Sequence, residues 1–222
     1  MKAMLLAAGR GERMRPLTDD TPKSLLRIGG QTLIERHLHA LAQAGIRELV
    51  INHAHLGEQL VAAIGNGSAY GVEVVYSPEP PGALETGGGI FHALALLGAA
   101  PFLVVNTDIW TNFPFATLPA QPDGLAHLVL VDNPEHHSAG DFSLTDNRVS
   151  RRGPVMLTFG GIGVYRPELF AGCHPGPFPL APVLRQAMDA EQVSGEYYPG
   201  TWFDIGTPQR LEAVNRRVIN RQ

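Results

Sequence analysis

The chain has 222 residues, of which 44% are hydrophobic and 17% charged, and this composition predicts a soluble globular protein. The formal net charge of −4 argues against nucleic acid as a partner. The single cysteine, Cys173, excludes an internal disulfide. No apolar run approaches the roughly 20 residues that span a bilayer, and no secretory signal pattern is present. We therefore expect a cytoplasmic protein with no membrane partner.

The chain begins with an apolar run, Ala3 to Ala8, which predicts a buried strand. The run ends at Gly9-Arg10-Gly11, where the backbone can turn sharply and expose its N–H groups. Six of the seventeen basic residues lie in the first 27 positions, and none lies between Glu48 and Asn147. Amide donors and clustered cations after a strand are what a polyphosphate requires, so this stretch predicts a nucleoside triphosphate site.

Two common glycine-rich motifs do not fit this loop. The Rossmann fingerprint requires a third glycine and an immediate helix, but Met14 occupies that position and Pro16 disfavours the helix. The acidic residue that anchors a ribose is also missing, because the second strand ends with Asn52 and His53. A Walker P-loop requires Gly-Lys-Ser/Thr, which does not occur in the chain.

Helical and strand patterns alternate after the loop. Apolar spacing predicts helices over Thr32 to Ala44 and Leu56 to Ile64, and strands over Leu49 to Asn52 and Val72 to Ser77. This β-α-β-α-β order implies a parallel sheet with right-handed crossovers and ligands at the carboxyl ends of its strands. Since the sequence contains no linker or repeat, we expect a single α/β domain over residues 1–222.

Three glycines, Gly87 to Gly89, precede an apolar helical segment from Phe91 to Leu97. Glycine lowers helix stability, so we expect these residues to serve another purpose. A backbone without side chains would let a flat base approach its N–H and C=O groups closely. Close packing at the start of the helix is the alternative.

A further buried strand runs from Phe102 to Asp108 and ends in a carboxylate. In a parallel sheet, Asp108 would emerge at the same edge as the Gly9-Arg10-Gly11 loop. A carboxylate beside a bound triphosphate requires a cation between them, which implies Mg²⁺ as the cofactor. A helix cap is the alternative role for an aspartate at this position.

The second half of the chain is less regular. Its patterns predict two strands and two helices, over Ala126 to Val131, Leu157 to Tyr165, Leu180 to Ala190 and a last helix ending near Ile219. A polar loop with His136 and His137 leads to Asp141. Asp204 lies between Phe203 and Ile205, where an unpartnered carboxylate would be costly to bury, and this favours a metal-binding role.

Four ordered motifs resemble those of the sugar-1-phosphate nucleotidyltransferase family. They are residues 5–18 (LLAAGRGERMRPLT) with Pro22-Lys23, then residues 84–88 (LETGG), the strand end at Asn106-Thr107-Asp108, and residues 202–208 (WFDIGTP). The departures are Glu12, Glu85 and Thr107, where the family usually has threonine, glycine and a small residue. The resemblance implies a Rossmann-like nucleotidyltransferase fold: a mixed, mostly parallel central sheet flanked by helices, with no C-terminal β-helix.

The resemblance also implies a role for each motif residue. Arg13 and Lys23 are expected to neutralise the triphosphate and the transition state, and Asp108 and Asp204 to bind Mg²⁺. The expected nucleotide contacts are Ala8, Gly9, Gly11, Glu12, Arg13, Arg15, Lys23, Glu85, Thr86 and Gly87. The expected sugar-phosphate contacts are Asn106, Asp141, Gly161 and Asp204.

The implied reaction is attack of a sugar 1-phosphate on the α-phosphorus of a nucleoside triphosphate, with loss of pyrophosphate. The motifs are most similar to the branch that uses UTP and N-acetylmuramate 1-phosphate in cell-wall recycling. The first alternative is mannose or glucose 1-phosphate with GTP, dTTP or UTP, and the second is a non-catalytic nucleotide-sugar sensor. Arg151 and Arg152 are candidates to bind a lactyl carboxylate, although a solvated arginine pair is the simpler interpretation.

Overall fold

The computed structural model describes residues 1–80 and 84–219, which contain thirteen strands and five α-helices. The strands are β1 (Ala3–Leu6), β2 (Arg27–Ile28), β3 (Gln31–Thr32), β4 (Glu48–His53), β5 (Glu73–Pro78), β6 (Phe102–Asn106), β7 (Ile109–Thr111), β8 (Ala126–Val131), β9 (Phe142–Thr145), β10 (Arg148–Ser150), β11 (Met156–Tyr165), β12 (Val193–Tyr197) and β13 (Trp202–Asp204). The helices are α1 (Leu33–Gln43), α2 (Gly57–Ile64), α3 (Glu85–Leu97), α4 (Leu180–Asp189) and α5 (Pro208–Ile219). Residues 81–83 lie outside the described residues, and with them part of the rigid loop that Pro78, Pro80, Pro81 and Gly82 predict.

Nine strands form one sheet in the order β5-β4-β1-β6-β11-β8-β12-β10-β9. The first four strands of this order pair in parallel, as the sequence predicts. β11 is antiparallel to both β6 and β8, whereas β8 and β12 are parallel. The sheet is therefore mixed, and the prediction of a mostly parallel sheet holds only for its amino-terminal half, because the long strand β11 returns in the opposite direction.

Helices cover both faces of the sheet. Along β1 the side chains alternate, so Ala3 and Leu5 pack in a cluster with α1 and α2, while Met4 packs in a second cluster with α3 and α4. A third, smaller cluster joins Met14 to Val214 of α5. No helix in the described ranges is long and apolar enough to cross a bilayer.

Strand register brings the ends of the parallel strands to one edge of the sheet. Leu6, the last residue of β1, is in register with Asn52 of β4 on one side and with Asn106 of β6 on the other. Asp108 follows two residues later, and its carbonyl oxygen accepts a hydrogen bond from Ile205 N at 2.7 Å. This bond places the β13 ladder, with Asp204, beside the end of β6.

His37 of α1 contacts the segment that follows Asp108. Its ring is fully buried, and Nε2 lies 3.0 Å from the carbonyl oxygen of Ile109, the first residue of β7. Burial lowers the pKa of His37 to about 4, against the smaller opposing effect of this hydrogen bond. The ring is therefore neutral at pH 7, and Nε2–H donates to the carbonyl.

We expect folding stability to fall between pH 6.5 and pH 4, because the unfolded chain binds a proton at His37 that the folded protein excludes. The decrease in the pKa of His37 from 6.5 to about 4 corresponds to about 3 kcal/mol of the free energy of unfolding. This contribution is fully present above pH 6.5 and is lost as the pH falls toward 4. Urea unfolding across this range should show a flatter pH dependence for His37→Gln than for the wild type. His39→Gln is the control, since His39 is exposed on the same helix. Equal slopes for all three proteins would contradict the assignment.

Candidate active site

The loop after β1 is folded by its own backbone and by Thr18. Gly11 has φ +69°, and a Cβ atom there would lie 2.9 Å from Cγ2 of Thr18, so the position requires glycine. The Thr18 hydroxyl donates to the Gly11 carbonyl at 2.8 Å, and Arg10 donates to the Thr18 carbonyl at 2.8 Å. Residues 9–18 therefore form a compact loop at the strand end, as the glycine and arginine pattern predicts.

This loop forms one wall of a cavity of about 330 Å³ at the carboxyl ends of β1, β4 and β6. Ten of the predicted contact residues line it: Ala8, Gly9, Gly11, Glu12, Arg13, Lys23, Glu85, Thr86, Asn106 and Asp108. The structure thus brings together residues from three of the four motifs, which are separated by up to one hundred positions in the sequence. Gly206, of the fourth motif, completes the rim.

Lys23 and Asp108 form an ion pair inside the cavity, with Nζ 2.6 Å from Oδ2. The lysine side chain is 14% exposed and the aspartate side chain 37% exposed, so both atoms remain accessible from the cavity. Ser24, the next residue, also lines the cavity, and its buried hydroxyl has no hydrogen-bond partner among the described residues. A buried hydroxyl without a partner is unfavourable, so Ser24 adds a local energetic cost beside the cavity.

A second polar network on the same cavity was not predicted. Asn52 is buried; its Oδ1 accepts from Ala7 N at 2.8 Å, and its Nδ2 donates to Oε1 of Glu79 at 2.7 Å. Asn52 and Glu79 both line the cavity. The only signal in the sequence was an asparagine at the end of the second strand, which indicates no partner by itself.

The glycines of α3 are packed against a neighbouring segment. A Cβ atom at Gly87 would lie 2.5 Å from the Phe178 ring, and one at Gly88 would lie 2.3 Å from the carbonyl oxygen of Gly176. These two glycines therefore permit close packing, which was the alternative interpretation of the motif. Gly87 is buried and does not line the cavity, whereas Glu85 and Thr86 do.

Glu85 begins α3 in a left-handed conformation, with φ +57°. This conformation costs a residue with a side chain roughly 1–2 kcal/mol, whereas glycine adopts it freely. Glycine, which the family usually has at this position, would adopt the conformation without strain. A strained residue that points into a cavity is typical of functional sites.

Asp204 lies beside the first cavity and is held by two partners. Arg210 of α5 donates through Nη1 to Oδ2, and Nε2 of His136 lies 3.0 Å from Oδ1. The same Nε2 atom is 2.8 Å from Nη1 of Arg210. Sequence reasoning selected Asp204 but missed Arg210, which comes after the motif and reaches back to it from the first turn of α5.

The remaining predicted sugar-phosphate residues lie near β11. Gly161 has φ +72°, and a Cβ atom there would lie 2.9 Å from Nδ2 of Asn106, so these two residues are in contact. Asp141 accepts from Phe159 N at 2.9 Å, and its other oxygen lies 2.9 Å from Nε2 of His137. Neither Asp141 nor Gly161 lines the first cavity.

The structure places three predicted cations outside this cavity. Arg15 is exposed and donates to Asp19 at 2.6 Å, outside the cavity lining. Arg151 pairs with Asp189 of α4 at 3.0 Å, and both side chains are more than half exposed. Arg152 is exposed as well. Arg151 therefore forms a surface ion pair, the simpler of the two interpretations of the Arg151-Arg152 sequence.

A second cavity, of about 830 Å³, lies at the same sheet edge, beyond the ends of β8 and β12. Its walls are largely aromatic, with Trp110, Tyr198, Trp202 and Phe203, and Arg217 is the cation among its lining residues. Pro134, two residues before His136, also lines it. Asp204 directly follows Phe203, so it lies between the two cavities.

Asp108 and Asp204 are the two carboxylates that could hold a metal. Asp204 of β13 pairs with Ile109 of β7, and Ile109 is the residue directly after Asp108. Within residues 1–80 and 84–219, no cluster of three or more histidine, cysteine, aspartate or glutamate side chains could hold a metal ion. Two carboxylates suit Mg²⁺, which takes its other ligands from phosphates and water.

The fold and the cavity define an α/β protein of the nucleotidyltransferase type. Residues 2–142 match the family described as Nucleotidyl transferase, and the chain belongs to that family.

Three relatives and one solved structure are informative. The chain is 55% identical to an N-acetylmuramate alpha-1-phosphate uridylyltransferase of Neisseria meningitidis over 96% of each chain. It is 36% identical to the enzyme of the same name from Caulobacter vibrioides over 97% and 96% of the two chains. It is 30% identical to a mannose-1-phosphate guanyltransferase of Schizosaccharomyces pombe, of which it spans 62%, against 94% of its own length. A crystal structure from Bacillus anthracis, assigned as a glucose-1-phosphate thymidylyltransferase, has a TM-score of 0.85 at 22% identity, covers 98% of this chain and 94% of its own, and shows the shared fold.

We expect Glu85→Gly to raise the free energy of unfolding by roughly 1 kcal/mol, because it removes the left-handed strain. We also expect it to weaken nucleoside triphosphate binding, measured by calorimetry, because the side chain is lost from the cavity. Glu191→Gly is a matched control: Glu191 has φ +56° and is exposed, so this variant should gain stability and bind nucleotides normally. If Glu85→Gly bound the nucleoside triphosphate as tightly as the wild type, the side chain of Glu85 would have no role in nucleotide binding.

We expect Asn52→Asp to destabilise the protein by about 1–3 kcal/mol at pH 8, because a carboxylate would replace the amide that donates to Glu79. Glu79→Gln should restore most of this loss in the double variant, measured by urea unfolding. Asn66→Asp, in an exposed turn, should change stability by about 0.5 kcal/mol or less. The Asn52–Glu79 contact would be refuted if the double variant were no more stable than Asn52→Asp.

Proposed function

We propose that this protein transfers a uridylyl group from UTP to N-acetylmuramate 1-phosphate, giving UDP-N-acetylmuramate and pyrophosphate. The observation that carries the reaction type is the Lys23–Asp108 ion pair in a cavity built by a glycine-rich, cation-bearing loop. The choice of substrates is supported by two relatives of matching length that bear this activity in their names. The single cysteine fits a reducing cytoplasm as the location of the reaction.

The reaction needs no protein nucleophile. An oxygen of the sugar 1-phosphate attacks the α-phosphorus of UTP, and the bond from that phosphorus to the bridging oxygen of the β-phosphate breaks. The electron pair of this bond leaves with pyrophosphate, opposite the attacking oxygen. Such a transfer is accelerated by positioning the two substrates and by stabilising the charge that develops on the phosphate oxygens.

The loop and its cations perform this stabilisation in the proposal. Lys23 and Arg13 face the triphosphate from the cavity wall, and the loop from Gly9 to Gly11 offers backbone N–H groups. The hydroxyl of Ser24 is buried and has no partner in the described part of the chain, and in the proposal its side chain rotates so that it donates to a phosphate oxygen. Ser24 is therefore a binding residue that the sequence motifs did not indicate.

The residues present fit Mg²⁺. Asp108 and Asp204 would hold it, together with substrate phosphate oxygens and water. Bound there, it would neutralise charge on the phosphates. The carboxylates also explain why the cations Lys23 and Arg210 are needed at this edge, since each cation compensates one carboxylate.

Charge also orients the nucleotide in the cavity. Lys23 and Arg13 attract the triphosphate, whereas the carboxylates of Glu79 and Glu85 repel it. The nucleoside therefore lies toward β5 and the start of α3, where its N–H and O–H donors meet these carboxylates. The acceptor approaches from the side of Asn106, Gly161, Asp141 and Asp204.

The experiment that tests the proposal measures pyrophosphate release with Mg²⁺. It crosses UTP, dTTP, GTP and CTP with the 1-phosphates of N-acetylmuramate, N-acetylglucosamine, glucose and mannose. Turnover confined to UTP with N-acetylmuramate 1-phosphate is expected. Preference for mannose or glucose 1-phosphate would retain the reaction type and replace the acceptor, and no turnover in any combination would favour a non-catalytic sensor.

We expect Lys23→Met to lower kcat/KM by about 10²–10³-fold, because one preorganised cation is lost from the transition state. The chain contains one other lysine, Lys2, which is partly exposed, pairs with Glu48 and does not line the cavity, so Lys2→Met is a matched control that should retain activity. Asp108→Asn should reduce activity and weaken its dependence on Mg²⁺. Full activity of both site variants would exclude the assigned roles of Lys23 and Asp108.

A further inference from the structure

Arg210 makes contacts that the proposed reaction does not yet use. Its guanidinium donates to Asp204 and lies 2.8 Å from His136, while its side chain is 24% exposed. It also packs over Gly206, where a Cβ atom would lie 2.9 Å from Nη2. Gly206 lines the first cavity, and Phe203 lines the second. Arg210 is thus located at the boundary between the two cavities.

A divalent cation that binds Asp204 would compete with Arg210 for the carboxylate of this aspartate. Two positive groups a few ångströms apart repel each other strongly in a partly buried site. Lys23 and Asp108 present the same situation on the other side of the cavity. When a metal binds both aspartates, each of the two cations therefore requires another anion.

The positions of the two cations indicate which anion each one meets. Lys23 lines the cavity assigned to the triphosphate, so it can transfer from Asp108 to a phosphate oxygen without leaving the cavity. Arg210 contacts Asp204 and packs over Gly206 at the rim of the first cavity, and it lines neither cavity. In the proposed function the acceptor approaches from the side of Asp204, so the substrate anions that Arg210 would meet there belong to the acceptor.

We propose that Arg210 is an exchangeable counter-ion: it occupies Asp204 until a divalent cation binds, and it then binds an oxyanion of the acceptor sugar phosphate. The metal-exchange step depends only on the contacts of Asp204. The acceptor step rests on the proposed function. N-acetylmuramate 1-phosphate carries two suitable oxyanions, the 1-phosphate and the lactyl carboxylate.

The first experiment measures Mn²⁺ binding by electron paramagnetic resonance in the absence of substrates. Arg210→Met should bind Mn²⁺ at least about 10-fold more tightly than the wild type, because the competing cation is removed. Arg210→Lys should retain near wild-type affinity, since the charge is kept. Arg216→Met is the matched control, because Arg216 lies on the same helix and pairs with Glu212 instead.

Thermal melting of each variant verifies that it is folded before metal binding is compared. Equal or weaker Mn²⁺ binding by folded Arg210→Met, relative to the wild type, would overturn the proposed exchange. This result does not depend on which sugar is the substrate. Failure of the inference is therefore distinguishable from failure of the proposed function.

The second experiment measures the KM of the acceptor with Arg210→Met. We expect the KM for N-acetylmuramate 1-phosphate to rise at least about 10-fold, with a smaller change in the KM for UTP, because a charged hydrogen bond to the acceptor alone is lost. The dissociation constants of the two sugar 1-phosphates, measured by calorimetry without turnover, separate the two oxyanions, because N-acetylglucosamine 1-phosphate lacks the lactyl group. An equal increase for both sugars assigns the 1-phosphate, and an increase for the muramate alone assigns the carboxylate. An unchanged acceptor KM would overturn this step.

Discussion

The ion pair between Lys23 and Asp108 is the contact on which the arrangement of this site depends. Eighty-five residues separate the two side chains, which meet at 2.6 Å with the lysine largely buried. A partly buried charge without a partner is costly, so the pair fixes the loop after β1 against the end of β6. Because Ile205 N donates to the carbonyl oxygen of Asp108, the same short segment also positions β13 and Asp204. One segment thus connects the three motifs that carry charge.

The parallel strands supply the frame for this contact. Leu6 is in register with Asn52 and Asn106, so the polar ends of three strands lie side by side before any side-chain contact is formed. The antiparallel strand β11 then extends the same edge, and Gly161 allows it to approach Asn106 closely. A wholly parallel continuation would require another crossover helix between these strands. The return of β11 instead lets the ends of β8 and β12 form the second cavity beside the first.

Sequence reasoning identified the parts of this site that have a local signature. An apolar run that ends in a charged or glycine-rich segment locates a strand end, and this predicted that the loop from Gly9 to Gly11 and Asp108 share one edge, where the structure has them. Asp204 was selected instead by its apolar neighbours and by the family resemblance. It could not identify Asn52 with Glu79 or Arg210 with His136, because such pairs join distant elements and leave no periodic pattern. Antiparallel pairing of β11 was missed for a similar reason: strand patterns indicate burial, whereas direction depends on the chain between strands.

Several residues that line the first cavity have energetically unfavourable features. Glu85 adopts a left-handed conformation, Ser24 has a buried hydroxyl without a partner in the described ranges, and the Lys23–Asp108 pair desolvates two charges. Each feature lowers stability or adds little to it, and each can be removed by an ordinary substitution. A ligand that carries phosphate oxygens and nucleoside donors would supply partners for the Glu85 carboxylate, for the Ser24 hydroxyl and for the two charges. The cavity is therefore better explained as a surface that is completed by its substrates than as a packing feature of the fold.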